Sequence, residues 1–218
     1  KKVVSPVMVN KEKSTFYHID FSFDDLRLGG SAFAQSLNKV GSDVPTCKNP
    51  EYFRDAFNAV QTLVNKGLVL AGHDISAGGL ITTLLEMCFA NMEGGMEVSL
   101  DKFGHHDIVK ILLAENPGVV VQIADKHKTE FKKIMDDAGV GYLKLGHPTD
   151  ERLIQVTKDG AEYQFGIDYL RDVWYSTSYL LDRKQSMNGR AKARFENYKM
   201  QPLEMVFNKD FTGCRSTG

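Results

Sequence analysis

Between Pro50 and Lys66 the apolar residues Phe53, Phe57, Val60, Leu63 and Val64 recur at helical spacing, which predicts a helix burying one face, with Gly67 as its stop. The stretch before it reads differently. Over residues 14–23, apolar Phe16, Ile19 and Phe21 alternate loosely with polar positions, as in a strand, and the pattern breaks at Leu28-Gly29-Gly30-Ser31. Ser31 is placed to cap a short helix running through Asn38, and Gly41-Ser42-Asp43-Val44-Pro45 ends it. Leu68-Val69-Leu70-Ala71 is a compact apolar run of the kind expected for a strand buried on both sides. It leads directly into Gly72-His73-Asp74-Ile75-Ser76-Ala77-Gly78-Gly79 and then a helix to about Ala90.

The alternation continues to Phe165. Strands are predicted at residues 96–100, 118–123, 142–145, 153–157 and 163–165, with Asp159-Gly160 as the hairpin turn between the last two. Helices are predicted over residues 107–114 and around Phe131, Ile134 and Met135. Helices alternating with strands, plus one hairpin, imply an α/β (α+β) domain with a mixed sheet and layered helices over residues 1–166. Beyond it the character changes: Leu170, Val173, Trp174, Thr177, Leu180 and Leu181 follow a helical period, and a charged, helix-prone stretch continues to about Tyr198. Residues 167–218 therefore read as a C-terminal helical extension and linker.

Composition narrows the function classes. With 42% hydrophobic residues over 218 positions the chain can bury a sizeable core, as one domain or one domain with an appendage. A net charge of -1 supplies no overall field toward nucleic acid or an anionic membrane. The basic run Arg183, Lys184, Arg190, Lys192 and Arg194 is interrupted by Asp182 and Glu196 and lacks a stacking platform, so it reads as a solvated face and no nucleic-acid partner is expected. No apolar run approaches the roughly 20 residues that cross a bilayer, and the expected location is cytoplasmic, with no membrane partner.

Cys47, Cys88 and Cys214 are far apart and odd in number, without metal-ligand spacing, and Cys88 in its apolar stretch reads as a core residue. The adjacent His105 and His106 diverge on a helix and read as a solvated helix start. The beginning at Lys1-Lys2-Val3 suggests a piece of something longer.

One passage carries candidate chemistry. A loop entering a helix offers unpaired N–H groups and the positive end of the helix dipole, which suit phosphate, and Gly78 and Gly79 let an anion approach the backbone. Asp74 and Ser76 are two apart, so on an extended chain both point the same way, a carboxylate for Mg²⁺ beside a hydroxyl for metal or phosphate oxygen. The plainer alternative is that Asp74 or Ser76 caps the helix while the glycines permit close packing. His73 is placed either to hydrogen-bond a phosphate or to orient the strand end.

The string His73-Asp74-Ile75-Ser76-Ala77-Gly78-Gly79-Leu80 resembles the signature of the C-terminal domain in the aminoimidazole ribonucleotide synthetase superfamily. Three further segments are similar to the large, single-chain phosphoribosylformylglycinamidine synthases: Leu28-Gly29-Gly30-Ser31-Ala32-Phe33-Ala34-Gln35, Glu115-Asn116-Pro117-Gly118-Val119-Val120-Val121-Gln122, and Leu170-Arg171-Asp172-Val173-Trp174.

That resemblance implies the second synthetase-like C-terminal domain, followed by a connector toward a glutaminase domain. The family's enzyme is an ATP-dependent, glutamine-using C–N ligase. It converts formylglycinamide ribonucleotide to formylglycinamidine ribonucleotide in purine biosynthesis, with ATP activating the formamide oxygen that ammonia displaces. Carried over, Asp74 matches a Mg²⁺ ligand, and Ser76, with His73, Gly78 and Gly79, an ATP/ADP contact. The rest of the metal shell is implied to come from the preceding domain. Relatives often carry Arg and Asp where this chain has Ile75 and Ala77. No catalytic nucleophile is expected here, and the piece alone is expected to be inactive. The other implied role is structural: a retained nucleotide that holds domains together without turnover.

Overall fold

The structure is a computed structural model that describes residues 2–104 and 107–197. His105, His106, Tyr198 and Cys214 lie outside the described residues. The chain divides after Asp172 into two compact units.

The first unit is built on seven strands: β1 (Ser14–Asp20), β2 (Val69–Asp74), β3 (Gly95–Ser99), β4 (Gly118–Ala124), β5 (Leu143–Thr149), β6 (Leu153–Lys158) and β7 (Ala161–Gly166). They form one sheet in the order β2-β4-β1-β5-β3-β6-β7. Among the described residues only β3 and β6 pair in parallel, so the sheet is mixed as the alternation of elements implied. Among the described residues, α1 (Ala32–Ser36), α2 (Pro50–Lys66), α3 (Gly79–Phe89), α4 (Ile108–Leu113) and α5 (Lys128–Asp137) accompany it.

Side chains alternate across each strand, and this sorts the core into two layers. Phe16 and Val120 pack with Leu80, Leu84 and Met87 of α3 and Ile111 of α4. Tyr17, Ile19, Val121 and Ile123 pack instead with Ala56, Ala59 and Leu63 of α2 and Phe131 and Met135 of α5. The Phe131 ring lies 4.4 Å from Tyr17 and 5.1 Å from Tyr142, closing the second layer. Cys88 is a core residue against Met8, and burial pushes its thiol up to about 12.

Two expectations change. The apolar run at residues 68–71 is not buried on both sides: β2 is an edge strand, and Val69 and Leu70 are only half-buried. A run of four apolar residues does not encode how many neighbours its strand acquires. The strand also extends further than expected, because Gly72, His73 and Asp74 pair with Val121, Val120 and Val119 of β4, so the loop shrinks to the few residues before α3.

The helix α6 (Ile167–Gln185) begins in the first unit, where Ile167 and Arg171 are buried. In the second unit, α7 (Arg190–Asn197) places Phe195 4.8 Å from the Tyr179 ring, and Arg194 makes a two-pronged pair with Asp182 at 2.6 and 2.9 Å. Hydrogen bonds from Arg194 and then Ser186 hold the Asp182 carboxyl below its ordinary value. Lys192 lies 3.6 Å from Glu196, so carboxylates interleave with the basic run.

Candidate functional site

β2 ends at Asp74, β1 at Asp20 opposite Gly118, and β5 begins at Leu143 opposite His18, so these positions share one end of the sheet. The passage from β2 to α3 sits there. Ile75 continues the ladder by donating its N–H to the Gly118 carbonyl at 2.8 Å and buries its side chain. Asp74 and Ser76 flank it and both face solvent, as an extended passage requires.

The backbone of Asp74 is fixed from two directions. Its carbonyl accepts from His73 Nδ1 at 2.8 Å and from the Thr83 hydroxyl at 3.0 Å, while its side chain remains 72% exposed. His73 Nε2 faces the Glu86 carboxylate of α3 at 3.2 Å. Both ring nitrogens of His73 are thus directed at groups of the chain itself. The Ser76 hydroxyl makes no hydrogen bond among the described residues. Neither it nor Asp74 caps α3, whose cap is Gly78 in the left-handed region with no side-chain partner.

The glycines are engaged differently from the free-amide arrangement expected of them. Gly79 donates to the Ser76 carbonyl at 3.0 Å, and Gly78 donates to Glu115 Oε1 at 2.8 Å. The same Glu115 oxygen accepts from Ala32 at 2.8 Å, at the start of α1. An internal carboxylate therefore already occupies the positive end of α3. Gly79 also permits close approach: a Cβ there would stand 2.7 Å from the Leu112 carbonyl oxygen on α4.

Glu115 is the residue that sequence reasoning left without a role. Its partners lie 37 and 83 positions away, so no local spacing signals the contact. It ties together the Gly30-Ser31 turn, the Gly78-Gly79 turn and its own strand entry. Next to it, buried Asn116 donates to the Ser22 hydroxyl at 3.2 Å and the Asp25 carbonyl at 3.0 Å. Ser31 caps α1 as expected, accepting from Ala34 at 3.2 Å. Replacing Glu115 with alanine leaves two amides unpaired and is expected to cost about 2 kcal/mol in chemical denaturation. Glu115→Gln, which keeps an accepting oxygen, is expected to lose less than half of that; equal losses for the two variants would remove the bridge from the account.

The donor set suits a hard cation only in part. Asp74 supplies one accessible carboxylate, and among the described residues no group of three or more His, Cys, Asp or Glu side chains is arranged to hold a metal. Magnesium is commonly held by one or two carboxylates with phosphate and water completing its octahedron, so Asp74 fits as one ligand of a shell completed from elsewhere. Beside His73 and Asp74 runs an apolar cleft of about 390 Å³, walled by Val60, Val64, Val69 and Val121.

Residues 21–159 match the model of the AIR synthase related protein, C-terminal domain. The chain belongs to that family. Over 206 residues it is 32% identical to the Arabidopsis thaliana probable phosphoribosylformylglycinamidine synthase, chloroplastic/mitochondrial, covering 92% of this chain and 14% of that protein. Over 164 residues it is 36% identical to Homo sapiens phosphoribosylformylglycinamidine synthase, covering 73% of this chain and 12% of the human protein. The chain thus spans about one seventh of the length of these relatives. Among solved structures, the T. maritima PurL complexed with ATP superposes with a TM-score of 0.59 at 16% identity, over 78% of this chain and 27% of that one. The likeness shows a shared fold. The family match spans the Gly30-Ser31 turn, the Asp74 turn and Glu115, the three segments that meet at this end of the sheet. Among the described residues no helix is long and apolar enough to cross a membrane.

Proposed function

We propose that the chain is a synthetase-like C-terminal domain of a phosphoribosylformylglycinamidine synthase, over residues 1–166, followed by a connector toward a glutaminase domain. In this reading it contributes a Mg²⁺-nucleotide site to an ATP-dependent, glutamine-using ligase of purine biosynthesis. Asp74 is the metal ligand, and Ser76 contacts metal or phosphate oxygen. The observation that carries the reading is the pinned Asp74 backbone, which aims an exposed carboxylate and an unengaged hydroxyl outward from a buried Ile75. Magnesium, when bound, would neutralise phosphate charge at this turn. The chain's own part is to fix the backbone that carries the Asp74 carboxylate.

The internal bonding of Gly78 and Gly79 gives them a shaping role in this proposal, and His73 an orienting one. Phosphate is then held through the metal and Ser76, because Glu115 takes the helix terminus. The partners are the preceding synthetase-like domain and the glutaminase domain of the same longer protein. Cytoplasmic placement belongs to the same reading, although the name of the Arabidopsis relative points that protein to chloroplasts or mitochondria.

The test is titration of MgADP and MgATP into the longer protein carrying Asp74→Ala or Ser76→Ala. Asp74→Ala is expected to weaken MgADP by about tenfold, near 1.4 kcal/mol. Unchanged affinity in both variants would remove the site. The isolated 218-residue chain is expected to show no synthase turnover. If Asp74→Ala lowers thermal stability and leaves bound nucleotide unhydrolysed, the site holds domains; if turnover falls in a normally stable protein, it is catalytic.

A further inference from the structure

At the same end of the sheet as Asp74, a second cleft of about 310 Å³ opens where β5 begins. His18, Leu26, Tyr52, Phe103, Tyr142 and Leu143 line it. Neither the resemblance nor the proposed nucleotide site uses these residues. His18 lies on β1 with only 7% of its surface exposed, and its ring nitrogens make no hydrogen bond among the described residues. A Cβ at position 118 would stand 3.4 Å from His18 Nε2, so the glycine there keeps space beside that nitrogen. The ring nitrogens are not sealed from the cleft, so a ligand there can take up the hydrogen bonds that the fold itself leaves unmade.

The surroundings define what such a ligand is. The Phe103 ring centre lies 5.3 Å from that of His18, and Leu26 and Leu143 add apolar wall. Tyr52 accepts from the Gly141 N–H at 3.0 Å, which leaves its own proton to donate. Two carboxylates border the cleft, and both are committed. Asp20 accepts from the Ser22 amide and hydroxyl and from the Phe23 amide, while Asp24 pairs with Arg27 and Thr46. Their negative charge disfavours an anion, and their saturated oxygens offer little to a metal ion. Burial keeps His18 neutral, pulling it down to about 4 against a smaller opposing effect of Asp20, so its imidazole can donate or accept.

We propose that this cleft binds an uncharged planar heteroaromatic ring, with its faces against Phe103, Leu26 and Leu143 and its polar edge on His18 and the Tyr52 hydroxyl. The volume lies at the lower end of small-molecule pockets, which run upward from roughly 300 Å³. The ring is read by hydrogen bonds at its edge and by dispersion on its faces, without a phosphate anchor.

Adenine is a suitable probe, measured by equilibrium dialysis against the longer protein with MgADP saturating, so that nucleotide sites are filled. Adenine is expected to bind under these conditions, and His18→Phe to weaken it about tenfold while MgADP affinity stays the same. Tyr52→Phe keeps the ring on Phe23 and serves as the second variant, with an expected loss of about threefold. Ribose 5-phosphate is expected not to compete, and Asp74→Ala to leave adenine binding unchanged, so this site and the nucleotide site fail separately. The proposal is overturned if adenine does not bind beside MgADP, if neither substitution weakens it, or if ribose 5-phosphate displaces it.

Discussion

Replacing Gly79 with alanine is expected to lower the unfolding free energy of the chain by about 3 kcal/mol, read from denaturant midpoints at unchanged slope. Two costs combine. Gly79 sits at φ 70°, where a side chain strains the backbone by about 1 kcal/mol or more, and the added Cβ would meet the backbone of Leu112 and Leu113 within 2.8 Å. Backbone cannot rotate away as a side chain tip does, so α3 and α4 must separate. That separation also moves the turn that carries Asp74, so MgADP binding in the longer protein is expected to weaken in the same variant. A loss of stability under 1 kcal/mol would show that the helices tolerate a wider approach than their packing implies.

Acidification supplies the second large effect. His18 titrates near 6.5 when unfolded and near 4 in the fold, because burial penalises its charged form. Between those values the unfolded chain binds a proton that the folded chain does not, so stability rises with pH there. The contribution is fully present above about pH 6.5, is lost as pH falls toward 4, and is constant below that. A difference of this size corresponds to something on the order of 3 kcal/mol. Asp101 and Asp125 are held below the ordinary carboxylate range, Asp101 chiefly by the Asp159 amide and Asp125 chiefly by Lys128, so their losses fall at lower pH. Urea denaturation from pH 7.5 to 4.5 is therefore expected to fall in the parent chain and to flatten in His18→Phe. Parallel profiles would mean that another group carries the dependence.

Much of the fold is legible from pattern. The period of Phe53, Phe57, Val60, Leu63 and Val64 gives α2, and Asp159-Gly160 gives the β6–β7 turn, because each is decided by neighbours within a few positions. The status of residues 68–71 was not legible. Apolar content reports that a strand is sheltered, and here shelter comes from one sheet neighbour, helices and the N-terminal segment, where Gly72 donates to the Ser5 carbonyl. The Asp74 turn was legible as a turn, since Ile75 between two polar residues already encodes the alternation that sends Asp74 and Ser76 outward. The fate of the Gly78 and Gly79 amides was not, because the residue that engages Gly78 arrives from beyond α4.

By itself the sequence determined the periodic elements, the layered α/β class, the position of the turn at His73 to Gly79 and the family signature that residues 21–159 carry. Those properties rest on spacing along the chain, where side-chain direction repeats every two or 3.6 residues. Tertiary structure alone decided that β2 lies at the sheet edge, that Glu115 joins two distant helix starts, and that His18 is buried beside an open cleft without a partner. The physical reason is the same in each case. An anion settles where amides converge and an imidazole gives up its proton where packing weakens its hydration, and both conditions arise only when segments far apart in the chain are packed together.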